Sequence, residues 1–320
     1  MMRRRLLVIA GSAGLVAKRA FAQAYPTRPA RIIAPFGAGG GGDALGRLVA
    51  QHLSHSLGQP FVVENRGGGN GVIGAQEALR SAPDGYTLFL ATTTTNAINA
   101  SLVRNLPYDP VRDFAMIGQL TRVPYILVTS RDLPATDLRG LIALARQRPG
   151  ALSYASGSTP AIVAGAMLGQ MAGVQLLHVP YRATVPALTD VIAGRVSMMF
   201  SDFAPALAQI RGGRVNAIAV TTATRSLLVP DLPSMAEAGL PGFEIIGWVA
   251  LAAPAGVPGR VVSGLNAELH RILALPEIRD ALIGFGLEPA PTTAEEMSVL
   301  VASDTAKWAS LTRAAGIEAE

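Results

Sequence analysis

Apolar residues along the chain fall into two alternating patterns. Short runs rich in β-branched residues are typical of buried strands, and the segments between them place apolar residues at helical spacing. The pattern predicts strands at 31–36, 61–64, 86–91, 125–129, 152–155, 176–179, 196–200 and 215–220. It predicts helices at 44–57, 72–81, 137–147, 160–171, 186–193 and 204–210. Strands that alternate with helices over most of a chain indicate parallel sheets covered on both faces.

The C-terminal part of the chain is expected to be mostly helical. Its helices are predicted to start at Pro258, Pro276 and Thr293, and Trp248 is predicted on a strand just before them, as a core residue. Without the first 24 residues, roughly 296 of the 320 remain, which is more than one hydrophobic core usually supports. We therefore expect two α/β lobes, with the C-terminal segment folding back on the first.

The N-terminus has the pattern of an export signal. Arginines at 3–5 precede an apolar stretch at 6–17, and small residues in Ala-x-Ala steps follow at 20–24. The apolar stretch has about 12 residues, fewer than the roughly 18 that a membrane span needs. We expect residues 1–24 to be removed, the mature protein to begin near Tyr25, and the protein to work in the periplasm.

Charge and composition argue against several classes of function. The chain has 27 basic and 22 acidic residues, but five of the basic ones lie within residues 1–24, which leaves the mature chain formally neutral. A neutral chain lacks the basic surface that nucleic acid binding requires. The absence of cysteine excludes disulfides and thiolate chemistry, and the four histidines have no metal-ligand spacing. We expect no metal, no cofactor and no nucleic acid partner.

A glycine-rich loop at 34–43 is the strongest single motif. A predicted strand enters this loop and a predicted helix leaves it, with Asp43 at the expected N-cap position. Glycines allow a ligand to approach the backbone closely, and the start of a helix presents unpaired N–H groups. The loop is therefore predicted to bind an anion through its amides, whereas capping alone is the simpler role for the Asp43 side chain.

Two enzyme classes remain as alternatives. Gly37, Gly39 and Gly42 match the Gly-x-Gly-x-x-Gly pattern, and Glu64 follows at the spacing of a dinucleotide site, so an oxidoreductase is one alternative. An exported hydrolase is the other, because Ser156 lies on a plausible loop. The sequence offers no Gly-x-Ser-x-Gly motif and no identifiable base for that serine. We predict no catalytic residue.

Eight segments occur in an order and spacing that resembles the Bug family of periplasmic solute receptors. The segments are IAPFGAGGGGD (33–43), VENRGGGNG (63–71), APDGYT (82–87), LPYDP (106–110), YAS (154–156), HVPYR (178–182), AEAGLPG (236–242) and LAAPAG (251–256). The resemblance implies an α/β, type II periplasmic-binding-protein fold with two Rossmann-like lobes and a cleft that closes on a small carboxylate. It also implies delivery to the membrane permease of a tripartite tricarboxylate transporter. We expect a monomer, with lobe 1 at 25–124 plus 246–320 and lobe 2 at 125–245.

The resemblance also implies where the carboxylate is bound. Two strand-to-helix loops, 36–43 and 156–159, would hold it through backbone amides. The candidate ligand-binding residues are Phe36, Gly39, Gly40, Gly41, Gly42, Asp43, Thr92, Thr94, Ser156, Gly157, Ser158, Thr159, Tyr181, Arg182 and Asp202. Capping of the next helix explains the threonines equally well, and Arg182 could either pair with a second carboxylate or be solvated. The ligand could be a di- or tricarboxylate, an aromatic acid, an amino acid or a nicotinate-like compound.

Overall fold

The computed structural model describes residues 25–319 as a mixed α/β fold, so the predicted export signal at 1–24 lies outside the described residues. The strands are β1 (Ala30–Ala34), β2 (Phe61–Asn65), β3 (Thr87–Thr92), β4 (Phe114–Ser130), β5 (Ser153–Ser156), β6 (Leu177–Pro180), β7 (Met198–Asp202), β8 (Val215–Val220), β9 (Ile246–Pro254) and β10 (Glu288–Pro289). The helices are α1 (Gly41–Leu57), α2 (Val72–Leu79), α3 (Asn99–Leu102), α4 (Leu138–Gln147), α5 (Thr159–Ala172), α6 (Thr184–Ile192), α7 (Phe203–Arg211), α8 (Gly259–Leu273), α9 (Pro276–Gly284) and α10 (Ala294–Ala314).

The predicted strands and helices are all present, with shifted ends. The largest difference is β4, which has 17 residues, although only 125–129 was predicted as a strand. Its first half was missed because Gly118 and Pro124 interrupt the apolar pattern, and both residues are typical of strand ends or bulges. The register between β4 and β9 indeed shifts on both sides of Gly118 and Gln119. Trp248 lies on β9, as predicted.

The sheet is parallel at its two ends and antiparallel at its centre. Strand β1 is parallel to β2 and β3, and β5 is parallel to β6 and β7. The prediction of parallel sheets is wrong for β9, which is antiparallel to β3 and β4, and for β4, which is antiparallel to β7 and β8. Strand β9 lies between β3 and β4 and runs opposite to both, and the local apolar pattern does not report the direction of a strand.

Strand β4 joins the two ends of the sheet. Its first part pairs with β9 as far as Pro124, which is opposite Ile246, and its second part pairs with β7 from Tyr125, which is opposite Asp202. The strand therefore passes from one set of neighbours to the other within one peptide bond. The lobe boundaries proposed from the sequence stay a prediction.

The C-terminal helices pack on the first part of the chain. Helices α8 and α9 share a hydrophobic cluster with α1 and β1, and Trp308 of α10 lies in a cluster with residues of β3 and β4. Helix α10 begins with a capping box in which Thr293 and Glu296 exchange hydrogen bonds. Within residues 25–319, no helix combines the length and the hydrophobicity that a bilayer span requires.

Candidate functional site

A central cavity of about 340 Å³ lies beside the carboxyl ends of β1 and β3. Its walls include the rings of Phe36, Tyr125 and Trp248 and the threonines at 92–95. Pro160, from the first turn of α5, closes the cavity on the other side. Parallel strands commonly bind ligands outside their carboxyl ends, so this cavity is a candidate binding site.

A side cavity, also of about 340 Å³, adjoins the central one. Its wall is formed by the segment 156–159 between β5 and α5, by Tyr181 and Arg182 after β6, and by Ile317 and Glu318 near the C-terminus. Asn70 lines both cavities. The two cavities share Asn70 as a wall residue, and Thr159 of one wall precedes Pro160 of the other, so they lie side by side and together form the candidate site.

The structure brings together nine of the fifteen candidate residues in these two cavities. Phe36, Thr92 and Thr94 line the central cavity, whereas Ser156, Gly157, Ser158, Thr159, Tyr181 and Arg182 line the side cavity. The other candidates line neither cavity, and they are Gly39, Gly40, Gly41, Gly42, Asp43 and Asp202. The first loop therefore contributes only its aromatic residue to the walls.

The predicted N-cap role of Asp43 is wrong. Helix α1 begins at Gly41 and its N-cap is Gly40, because the glycines adopt helical geometry before the acid. The Asp43 carboxylate accepts hydrogen bonds from Arg47 Nε at 3.0 Å, from Gly39 N at 2.9 Å and from Asn65 Nδ2 at 2.9 Å. These bonds, that of Arg47 first, lower the pKa of Asp43 to about 2. This buried carboxylate braces the loop and uses the Gly39 amide to do so.

Phe36 and Gly42 fit against each other at the start of α1. A Cβ atom on Gly42 would lie 2.6 Å from Cζ of Phe36, so only glycine leaves room for the ring. Gly39, Gly40 and Gly41 have open space around them and are exposed. The glycines at 39–41 therefore face solvent, while the ring beside them faces the central cavity.

Ser156 is hydrogen-bonded to a histidine that the sequence did not suggest. Its Oγ lies 2.7 Å from Nε2 of His178, on the neighbouring strand β6, and the His178 ring stacks on Tyr154 with 4.8 Å between ring centroids. Burial lowers the pKa of His178. Local sequence patterns do not report this pair, because its members are 22 residues apart and meet only where β5 and β6 lie side by side.

This serine–histidine pair lacks the remaining features of a nucleophile. Ser156 is only 1% exposed, which shields its hydroxyl from a substrate. Within residues 25–319, no carboxylate is hydrogen-bonded to the His178 ring, so no third group orients it as a base. The pair therefore ties the end of β5 to β6 and holds the following loop in place.

The loop after Ser156 presents free backbone donors to the side cavity. Helix α5 begins at Thr159, and its N-cap Ser158 makes no side-chain capping bond. Among residues 25–319, the amides of Gly157 and Ser158 have no hydrogen-bonded acceptor. Unpaired amides at a helix start, together with the helix dipole, favour a bound anion.

Side chains near this loop differ in availability. The Tyr181 hydroxyl donates to Asp190 Oδ2 at 2.5 Å, and this bond raises the pKa of Tyr181. Asp202 accepts a hydrogen bond from Thr184 Oγ1 at 2.5 Å, and burial raises its pKa. Arg182 is exposed, and within the described part of the chain no carboxylate forms an ion pair with it. Arg182 is thus the available cation of the side cavity.

Three wall residues were missed or misjudged from the sequence. Asn70 lies in a glycine-rich segment and has a positive φ of 52°, a conformation that asparagine tolerates better than most residues. Tyr125 was predicted only as part of a strand. Trp248 was predicted as a core residue, and it is buried, yet it also lines the central cavity. Its indole N–H donates to Asp304 Oδ2 at 2.7 Å.

The acid that a dinucleotide site would need forms ion pairs with other side chains. Glu64, the acid expected to bind a ribose, lies 3.4 Å from Arg31 Nη1 and 3.4 Å from Arg66 Nη2. Within residues 25–319, no group of three or more His, Asp or Glu side chains could hold a metal ion. The anion-binding interpretation of the cleft does not depend on any of these groups.

Comparison with known proteins places the chain in a family. Residues 45–317 match the family described as "Tripartite tricarboxylate transporter family receptor" (TctC). The chain is 33% identical to Protein BugT of Bordetella pertussis, over 98% of this chain and 98% of that protein. It is similar in structure to R. palustris Rpa4515 with adipate, at a TM-score of 0.84 and 34% identity over 92% of this chain and 100% of that chain.

A second solved structure gives the same result. Periplasmic binding protein BugD is 33% identical to this chain, with a TM-score of 0.79, and the match covers 92% of this chain and 100% of that one. The fold class predicted from the eight sequence segments is confirmed by these neighbours. The chain belongs to the TctC, or Bug, family of periplasmic solute-binding receptors.

Proposed function

We propose that the protein captures a small carboxylate between its two lobes and delivers it to the membrane permease of a tripartite tricarboxylate transporter. The observation that carries the proposal is the loop 156–159, whose unpaired amides open into a cavity beside Arg182. The similar structure solved with adipate, which is a carboxylate, supports the ligand class. No step of the proposal requires a catalytic residue.

The carboxylate is bound mainly by the loop 156–159, called the second loop from here on. The amides of Gly157 and Ser158 and the positive end of the α5 dipole attract one anionic group, and the Arg182 guanidinium adds a full positive charge. The Ser156–His178 bond keeps the loop in this conformation before the ligand arrives. A loop that is already ordered loses less conformational entropy on binding.

Closure of the lobes completes the site. Lobe 1 (25–124 plus 246–320) carries Phe36, the exposed glycines 39–41, the half-buried Gly42 and the threonines 92 and 94, and lobe 2 (125–245) carries the second loop. Bending near Pro124 and Ile246, where β4 changes partners, moves the glycine loop towards the ligand. The free amides of Gly40, Gly41 and Gly42 then contact the anion from the opposite side.

Export and partner follow from the same proposal. The N-terminal signal directs the chain to the periplasm and is cleaved near Tyr25, and the mature protein works as a monomer. The closed, loaded form is the one that the permease recognises, because only closure changes the surface on both lobes together. Mass spectrometry of the periplasmic protein tests the processing site.

A thermal-shift screen tests the ligand class. A ligand that binds only the folded protein raises the free energy of unfolding by about 2.7 kcal/mol at 100 times its Kd. We expect stabilisation by small carboxylates, none by NAD, and no release of nitrophenol from a nitrophenyl ester. Stabilisation by NAD with none by any acid would contradict the proposal in favour of a dinucleotide site. Turnover of the ester would contradict it in favour of a hydrolase that uses Ser156.

A further inference from the structure

The two cavities of the cleft differ in charge. The side cavity is lined by Arg182, by the free amides of the second loop and by one acid, Glu318. Among the described residues, no charged side chain lines the central cavity, whose wall is formed by Phe36, Tyr125, Trp248 and valines. The side cavity is therefore the one that offers a cation and free amides to an anion, although Glu318 opposes them there.

The polar groups in the central cavity are largely occupied by one another. Thr92 and Thr95 hydroxyls lie 3.2 Å apart, and each also bonds the other's backbone amide. Thr93 Oγ1 accepts from the backbone N of Trp248 at 2.6 Å. Among the four threonines, only the Thr94 hydroxyl makes no hydrogen bond within residues 25–319. Besides the Thr94 hydroxyl, the Asn70 side-chain amide also lacks a hydrogen bond among residues 25–319, so the wall offers neutral groups and no cation.

In the described range 25–319, the central cavity has one ionisable wall residue, the Tyr125 phenol, and a second acid, Asp304, is hydrogen-bonded to the wall residue Trp248. Burial raises the pKa of the Tyr125 phenol far above its usual value and the charge of Asp202 raises it further, while the Ser158 side chain acts in the opposite direction. Asp304 lies behind the Trp248 ring. None of these groups supplies a positive charge, so a carboxylate here would be buried without a cation. An unpaired buried charge is strongly disfavoured.

The geometry points to a ligand with one carboxylate and an apolar, ring-sized body. The carboxylate lies in the side cavity at Arg182 and the loop 156–159, and the body lies in the central cavity among Phe36, Tyr125 and Trp248. This assignment rests on the proposed function and makes it narrower, because it separates aromatic and other apolar monocarboxylates from dicarboxylates such as the adipate of the similar protein.

The size and shape of the central cavity agree with this ligand. A volume of about 340 Å³ lies within the range of small-molecule sites and holds a single ring. Three aromatic residues from different parts of the chain line the space, and contacts between aromatic rings are favourable beyond the burial of their area. A flexible, highly polar acid would gain nothing from the ring-sized volume or from the aromatic walls.

Matched acids test the inference on the unmodified protein. Isothermal titration calorimetry should compare benzoate with terephthalate and hexanoate with adipate, since the members of each pair differ by one carboxylate. We expect each monoacid to bind at least tenfold more tightly than its diacid. A diacid that binds as tightly as its monoacid, in either pair, would overturn the inference while leaving the proposed carboxylate receptor intact.

A variant with an added cation gives a second, independent test. Thr94 is half-buried and lines the central cavity, so Thr94→Lys introduces a positive charge there. We expect this variant to shift the ratio of terephthalate to benzoate affinity at least tenfold towards the diacid. Thr94→Met, which is similar in length but uncharged, should keep the wild-type ratio. An equal ratio in Thr94→Lys and wild type would contradict the inference.

The two proposals fail in different ways. If none of the four acids binds and the wider screen of carboxylates is also negative, the proposed function is contradicted, and the inference that depends on it falls as well. If only diacids bind, the proposed function stands and the single-carboxylate inference is wrong. The calorimetric comparison therefore separates the two.

Discussion

Gly157→Ala is expected to weaken ligand binding at least a hundredfold, or about 2.7 kcal/mol. A Cβ atom on Gly157 would lie 2.3 Å from the backbone carbon of Ala183 and 2.3 Å from the backbone nitrogen of Thr184. Backbone atoms at that distance cannot turn away as a side chain can. The loop 156–159 or the start of α6 must move, and the amides that we propose to bind the carboxylate are displaced from their position.

The stability of the Gly157→Ala protein is expected to fall as well. Forcing an extra methyl group into a closely packed site typically costs about 1–3 kcal/mol. Gly264→Ala is a matched control, since Gly264 lies exposed in α8 with open space around its Cα and an ordinary φ. Calorimetry and urea unfolding of both variants measure the two effects. Binding by Gly157→Ala within threefold of wild type would show that this loop does not hold the ligand.

Asp304→Leu is expected to lower the free energy of unfolding by about 1–3 kcal/mol, because it leaves a buried donor unsatisfied. The Trp248 indole N–H donates to Asp304 Oδ2 at 2.7 Å, and Trp248 is only 3% exposed. Without this acceptor the indole ring loses its fixed orientation at the wall of the central cavity. Ligand affinity should therefore fall together with stability.

Asp304→Asn should behave differently, because asparagine retains an acceptor and carries no charge. The pKa of Asp304 is raised in the folded protein, mainly by burial. Protonated Asp304 therefore contributes stability at low pH. This contribution is lost as the pH rises above about 4, the pKa of an aspartate in the unfolded chain. Asp304→Asn does not titrate, and it should equal or exceed wild type near pH 7.5. Its advantage should disappear towards pH 4.

Urea unfolding of wild type, Asp304→Asn and Asp304→Leu between pH 4 and pH 8 measures these differences. We expect Asp304→Asn to be at least as stable as wild type near pH 8 and Asp304→Leu to be less stable than wild type at every pH. Wild-type stability in Asp304→Leu would show that the Trp248 hydrogen bond has no structural role. If Asp304→Asn is less stable than wild type at pH 7.5, the ionised carboxylate of Asp304 stabilises the folded protein at that pH.

The sequence predicted the strand-and-helix order well because most elements carry strong local patterns. Strands such as β1 and β3 are continuous apolar runs, and helices such as α4 and α8 have one clear apolar face. The first half of β4 carries no such pattern. Its place in the sheet depends on its pairing with β9. Its antiparallel direction depends on a partner more than 120 residues away in sequence, which local periodicity does not report.

The candidate site was predicted where it follows a strand and precedes a helix. The loop 156–159 satisfies that rule, and so does the placement of Phe36. The start of α1 was misplaced by three residues, because glycine at positions 41 and 42 hides the helix boundary that a side-chain cap would mark. Tyr125 and Trp248 escaped notice as wall residues because they lie within the crossing strands β4 and β9, where an apolar residue has the same pattern whether it lines a cavity or a core.

We propose that one carboxylate of the ligand lies on the loop 156–159, between the two lobes. A crystal structure of the protein with the acid that binds most tightly in the thermal-shift screen would show its position. We expect the carboxylate within hydrogen-bonding distance of the Gly157 and Ser158 amides and near Arg182, with the body of the acid among Phe36, Tyr125 and Trp248. An acid bound outside the two cavities, or a carboxylate that contacts neither the second loop nor Arg182, would contradict this proposal.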